Sequence, residues 1–273
     1  MVSPRRFIIT LGLAIDILQT ISPIRLFHYF RDLLQIILTS LYDLSRLLIK
    51  RRLILHSYLN AIVSAGFSAL PIITIVALLV GAGVVAETGI ELPKLGIQNL
   101  MGVIVLHVIF GIVGPFVTAL IVTARSTSGL AVEIGNMRVS GELDTIEMLG
   151  VNLSHFIVTP RLVGIVISNI ALTFYFGLIS MAGGFAMALM GLSMPIATLT
   201  RMIESSIKLS DLILPVSEGL LYGLIVSSVS VYHGLRVRHS PLDVPKETTL
   251  ALVSSLSLCT VTLSLYLIFS SMT

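Results

Sequence analysis

Tryptophan is absent from this chain, cysteine occurs once, and charged residues make up only 11% of the whole. Each scarcity excludes something. A single cysteine, Cys259, rules out any disulfide within the chain, and its place in an apolar run marks a small core residue. Soluble domains average about 25% charged residues, so this chain is not a globular enzyme. Without tryptophan, any aromatic belt at a membrane surface must rest on the 7 tyrosines and 11 phenylalanines. No G-x-x-x-x-G-K-[ST] phosphate loop and no G-x-S-x-G elbow is present. The histidines at 28, 56, 107, 155, 233 and 239 have neither i,i+4 pairing nor cysteine partners, so no metal site and no catalytic residue is expected.

What is abundant is hydrocarbon. Hydrophobic residues reach 55% of the 273, and the mean hydropathy is +1.02. A polytopic, all-α membrane protein is the expectation. The net charge of +3 reflects where basic residues lie relative to the bilayer and gives no nucleic-acid signal.

Five apolar segments are long enough to span. They are predicted within about Tyr58–Val85, Leu100–Thr123, Leu162–Leu189, Leu212–Val231 and Thr249–Phe269. Pro71 predicts a kink in the first, and Gly66, Gly81 and Gly83 predict close helix contacts there. A polar turn is expected over Glu87–Leu95. In the second span, Gly114-Pro115 predicts a break in the helix ladder. Gly183-Gly184 predicts tight packing of the third. Residues 193–211 are expected to form a surface helix, and Gly234–Thr248 a polar loop.

Residues 1–52 alternate apolar faces with sparse arginines and aspartates. They are expected to form amphipathic interfacial helices parted near Pro23, ending in the basic cluster Lys50-Arg51-Arg52. Arg5-Arg6 followed by an apolar run resembles a secretory signal weakly, but Asp16 interrupts it and no A-x-A site comes after it. The segment is expected to be retained.

Between the second and third spans lies a polar island, residues 125–161, holding Arg125, Glu133, Arg138, Glu142, Asp144, Glu147 and Arg161. Charges at this density cannot sit in hydrocarbon, where one central charge costs roughly 2.5–3.5 kcal/mol. The island must lie outside the bilayer. Its inner part, Glu133–Leu149, is predicted to be a short helix with an apolar face of Ile134, Met137, Leu143 and Ile146, suited to docking a soluble partner. An ordinary solvated loop is the alternative. With the N-terminus, the island and residues 234–248 on one side, the other side keeps only Lys94, Arg201 and Lys208 of the basic residues. That asymmetry predicts that the island is cytoplasmic.

Within the spans, His107 and Glu218 stand out. An intramembrane carboxylate is a functional-site candidate. Glu218 either faces a lipid cavity or sits at interface depth near Asp211. His107 is a proton relay, a lipid contact or a hydrogen-bonded packing residue.

The run Glu133-Ile134-Gly135-x-Met137-Arg138-Val139, then Glu142-Leu143-Asp144, Glu147-Met148 and Pro160-Arg161, resembles the signature of MlaE-type permeases. These are membrane subunits of ABC transporters that move phospholipid between membranes. The resemblance runs from about Leu53 onward. It implies an elbow segment (1–52), a five-span permease domain (53–273) and, within the island, a coupling helix that inserts into a separate ATPase subunit. It further implies ATP bound by that partner only, a homodimeric membrane core, a Mce-domain lipid-binding protein as partner, and a bacterial inner membrane or a plastid inner envelope. Glu133, Arg138, Glu142, Asp144 and Glu147 are the expected ATPase-coupling residues. His107, Pro115 and Glu218 are the lipid-pathway candidates. Two departures stand out. Relatives often carry an Arg-Glu pair just before Gly-Pro, where this chain has Phe110-Gly111-Ile112-Val113, and a basic residue where it has Glu218. A carrier driven by an ion gradient would need more intramembrane ionisable groups and usually an inverted repeat. A non-transporting scaffold is the other alternative.

Overall fold

A computed structural model describes residues 23–47, 55–97, 100–190, 200–201, 209–238 and 240–272. The N-terminal signal-like run, the Lys50-Arg51-Arg52 cluster and most of the predicted 193–211 surface helix lie outside the described residues, and 209–211 belong to the following helix.

Every described element is helical. They are α1 (Pro23–Leu47), α2 (Leu55–Phe67), α3 (Leu70–Lys94), α4 (Met101–Val139), α5 (Glu142–Met148), α6 (Ser154–Met190), α7 (Leu209–Arg236) and α8 (Asp243–Met272). Five of them, α3, α4, α6, α7 and α8, are long and apolar enough to cross a membrane. Lipid offers backbone groups no partners, so helices that satisfy their own hydrogen bonds are the expected solution.

α1 begins at Pro23, where the sequence predicts a boundary. It buries Leu33, Ser40 and Asp43 and leaves Phe27, Phe30, Leu34, Leu38 and Leu41 exposed. That apolar outer face suits a helix lying in the membrane interface. Polar and aromatic contacts hold it to the bundle. Asp43 Oδ1 lies 3.2 Å from Nδ1 of His155, and Tyr29 meets Tyr232 edge to face at 5.0 Å.

The predicted first span is divided. The helix stops at Phe67, and a new one begins at Leu70, with Pro71 in its first turn. Proline costs nothing there, since the first N–H groups of a helix have no partner anyway. Pro71 therefore starts a spanning helix instead of kinking one. The expected polar turn at Glu87–Leu95 is also corrected: α3 continues to Lys94, with Lys94 bound to Glu91 at 2.7 Å.

The second span departs most. Its helix does not stop near Thr123 but runs on to Val139 as a stalk carrying the first half of the island. Two π-helical turns interrupt it, at Ile109–Val113 and Thr123–Thr127. The first lies directly before Gly114-Pro115. Pro115 has no N–H to give the preceding turn and its ring crowds that turn, so the ladder widens locally. The predicted Glu133–Leu149 helix is in turn two pieces, because Gly141 adopts φ 77° and separates α4 from α5.

α6 is the hub. It packs against α2, α3 and α7, and its buried side includes Gly164, Asn169, Phe176, Gly177, Gly183 and Gly184. The main core combines Ile73, Ala119, Val122, Ile134, Leu143, Ile165, Phe176 and Val226. The predicted 234–248 loop is shorter than expected: α7 reaches Arg236 and α8 starts at Asp243. At that end His233 Nδ1 lies 2.7 Å from Glu247 Oε2, joining the two helices.

Candidate coupling surface and intramembrane polar site

α5 is a small knob between two glycine hinges. Gly141 and Gly150 both take positive φ, at 77° and 72°, where side chains with a Cβ are disfavoured. At its end Val151 N–H donates to Ile146 O and Gly150 N–H to Glu147 O, a Schellman closure. Glu142 and Asp144 occupy the first turn, where the helix dipole favours negative charge. Leu143 is completely buried and Ile146 partly so, which anchors the knob on the bundle. Glu142, Thr145 and Glu147 face outward. Met148 and Leu149 are 87% and 74% exposed at the tip.

The predicted coupling residues divide into two groups. Arg138 Nη1 donates to Asp144 Oδ1 at 3.1 Å, bridging the hinge between stalk and knob. Arg161, at the base of α6, forks onto both carboxylate oxygens of Glu133 on the stalk. Such two-pronged contacts fix geometry as well as adding energy. Arg138 and Asp144 thus brace the knob from within the chain, and Glu133 braces the stalk that carries it. Glu142, which accepts from Ser140 Oγ at 3.1 Å, and Glu147 project from it. A cleft of about 630 Å³ beside the knob is lined by Arg138, Glu147, Gly150, Asn152, Val158 and Leu235. Sequence reasoning misses the Met148-Leu149 tip. The available signal is two large apolar residues directly before a glycine in a segment that must be solvated.

The intramembrane candidates do not gather at one point. Pro115 is buried and acts on the backbone through the π-helical turn. His107 is exposed on the outer face of α4. Glu218 on α7 is 6% exposed, and neither carboxylate oxygen has a hydrogen-bond partner among the described residues. Tyr222, one turn along, and Tyr266 on α8 lie within its electrostatic reach. The missing side chain of Gly111 leaves a notch bordered by the ring of His107 and the hydroxyl of Tyr266, 3.5 and 3.8 Å from where a Cβ would stand. A broken polar strip therefore runs from His107 through Tyr266 to Glu218. An ionised carboxylate so enclosed costs several kcal/mol when unpaired.

The family model for the permease MlaE matches residues 58–269. An intermembrane phospholipid transport system permease protein MlaE of Haemophilus influenzae is 24% identical over 189 residues, covering 69% of this chain and 72% of its own. A probable ABC transporter permease protein of Rickettsia typhi is 24% identical over 208 residues, covering 76% and 80%. The chloroplastic protein TRIGALACTOSYLDIACYLGLYCEROL 1 of Arabidopsis thaliana is 26% identical over 168 residues, 61% of this chain but 47% of its own. The helical bundle, the five long apolar helices and the match across most of the chain agree, and the protein belongs to the MlaE permease family of multi-pass membrane proteins.

Proposed function

We propose that the chain is the membrane subunit of an ABC transporter that carries phospholipid between membranes. Two copies form the core, and a separate ATPase supplies the hydrolysis. A Mce-type lipid-binding protein is the expected acceptor or donor. The setting is a bacterial inner membrane, with a plastid inner envelope as the other environment in which such relatives occur. Residues 1–52 form the interfacial elbow and 53–273 the permease body. The observation that carries the reading is the braced knob. α5 presents Glu142, Glu147, Met148 and Leu149 outward, while the Arg138–Asp144 pair and the buried Leu143 tie it to α4 and the core, and the Arg161–Glu133 pair ties the α4 stalk to α6. A motor gripping this knob pulls on two spanning helices at once. His107, Pro115 and Glu218 border the lipid route. The π-helical turn before Pro115 gives α4 a place to bend, and Glu218 offers a polar contact to a headgroup.

Glu218 is also what favours a gradient-driven carrier, since it is a buried intramembrane carboxylate. Against it, His107 and Glu218 are the intramembrane ionisable groups the sequence offers, and it shows no duplicated half of the kind such carriers usually have.

Co-expression with the cognate ATPase tests the proposal. The ATPase is expected to co-purify two to two, and Glu147→Arg with Met148→Asp is expected to lower its retention at least about tenfold, equivalent to 1.4 kcal/mol. Unchanged retention and unchanged lipid transfer in that variant would remove the knob from the interface.

A further inference from the structure

A second cleft lies away from the tip of the knob. It has a volume of about 710 Å³ and opens between α2, the stalk of α4 and the base of α6. Its polar lining includes Asn60 and Ser64 of α2, Arg125, Ser126 and Glu133 of α4, and Arg161 of α6.

Depth comes from the sequence. No charged residue lies between Lys94 and Arg125, or between Arg161 and Arg201. Arg125 and Arg161 are therefore the charges at which the apolar runs of two neighbouring spans end, on the same side of the bundle. About 20 residues cross the hydrocarbon, which puts both guanidinium groups at headgroup level. The second π-helical turn of α4, Thr123–Thr127, contains Arg125. An extra residue in one turn rotates the downstream residues by about 100° relative to a regular helix. Thr123 and Thr127 stay buried, while Arg125 reaches the cleft.

The charges in the cleft are not balanced. Glu133 is occupied by Arg161. Among the described residues, Arg125, Asn60 and Ser126 have no side-chain partner, and no carboxylate lies within 4.0 Å of the Arg125 guanidinium. Three donor-bearing groups thus converge beside a second arginine, with Leu130, Phe156 and Ile165 supplying an apolar wall. Basic pockets between spanning helices at the membrane surface suit anionic lipid headgroups.

We propose that this cleft holds one anionic phospholipid from the leaflet on the island side. Its phosphate sits on Arg125, with Asn60 and Ser126 donating hydrogen bonds, and its acyl chains lie along the apolar wall. The bound lipid wedges α2 against α4 and α6. The site requires only that the protein sits in a membrane, so it stands or falls apart from the transport reading.

Native mass spectrometry of the purified full chain tests it, after delipidation and titration with phosphatidylglycerol or phosphatidylcholine. One phosphatidylglycerol per chain is expected to be retained, against at least about tenfold less phosphatidylcholine. Arg125→Gln is expected to lower phosphatidylglycerol retention about tenfold, the loss of one charge-assisted hydrogen bond, while Arg31→Gln, a same-end charge outside the cleft, leaves it unchanged. Should Arg125→Gln not fold, Asn60→Asp at an exposed position places a repelling carboxylate in the cleft, with the same expected loss. Equal retention by these variants, equal retention of both lipids, or displacement of the lipid by millimolar inorganic phosphate would each overturn the proposal.

Discussion

α6 and α8 have almost the same hydropathy, 2.1 and 2.0 over their most apolar windows, yet they occupy opposite situations. Half of the α6 window is buried inside the protein, against 11% for α8. Oiliness does not sort them, because lipid tails are as apolar as leucine and give helices no hydrophobic reason to meet. Close approach does. α6 carries Gly164, Gly177, Gly183 and Gly184, while α8 has no glycine at all. A Cβ on Gly183 would run into the backbone carbonyl of Leu78, and one on Gly164 would lie 2.7 Å from Cβ of Ala61. On α6 the missing side chains let α2 and α3 approach closely. On α8, Val261, Leu265, Ile268 and Phe269 stay exposed and face whatever surrounds the bundle.

The strongest way to break this contrast is Gly183→Val. The obstructing atoms belong to the α3 backbone, so no rotamer change makes room. A loss of more than about 3 kcal/mol is expected. It would be read as aggregation in size-exclusion chromatography and a collapsed melting transition in detergent. Recovery of a monodisperse, wild-type-like protein would mean that α3 and α6 are not in contact at this level.

A milder test concerns α7, which meets α6 through Gly219 and Gly223. Cα of Ile170 and Cα of Val166 lie 3.2 and 2.9 Å from the points their Cβ atoms would occupy. Here the small residues are joined by a polar bond: Asn169 Nδ2 donates to Gly219 O at 2.8 Å in a fully buried setting. Interhelical bonds of this kind contribute on the order of 1 kcal/mol in lipid. Asn169→Leu is expected to lower stability by about that amount, because Gly219 O loses a buried donor while the packing glycines remain. A melt indistinguishable from wild type would show that packing alone holds the α6–α7 seam.

Much of this architecture is legible in the residues alone, and the misses have physical causes. Span number and the helical fold come from apolar run length, which the bilayer dictates. The island's exclusion from hydrocarbon comes from its charges. What run length cannot reveal is where a helix stops once it has left the lipid. α4 continues through Arg125 to Val139 because water also tolerates a helix, and only Gly141 ends it. Glycine spacing overstates contact at one place and goes unused at another. Gly81 meets the backbone of Ser180, but Gly83, two residues on, points into open space. Gly219-x-x-x-Gly223, a small-residue pair one turn apart, carries the packing signal that α7 needs, yet Glu218 beside it is the residue that stands out in an apolar run. Among the candidate site residues, composition marks Glu133, Arg138 and Asp144 as charges in a docking segment. It cannot show that Arg161 and Arg138 claim two of those carboxylates, since pairing across 28 residues, or across the Gly141 turn, is set by the fold. The exposure of Met148 and Leu149 likewise depends on Leu143 being the residue that turns inward.

The smallest expected effect lies on α8. Leu265 is 62% exposed on a helix long and apolar enough to cross a membrane. Truncating a side chain that already faces an apolar solvent removes few protein contacts, so Leu265→Ala is expected to shift stability by less than about 0.5 kcal/mol. The same truncation on the buried side of α6, Phe176→Ala at 0% exposure, belongs in the range of about 3–5 kcal/mol. The paired melts therefore sharpen the comparison quantitatively. If Leu265→Ala instead costs more than about 1 kcal/mol, or shifts the particle mass toward a single copy, then the α8 face is covered by protein in the intact assembly. Its exposure would in that case mark where the second chain packs.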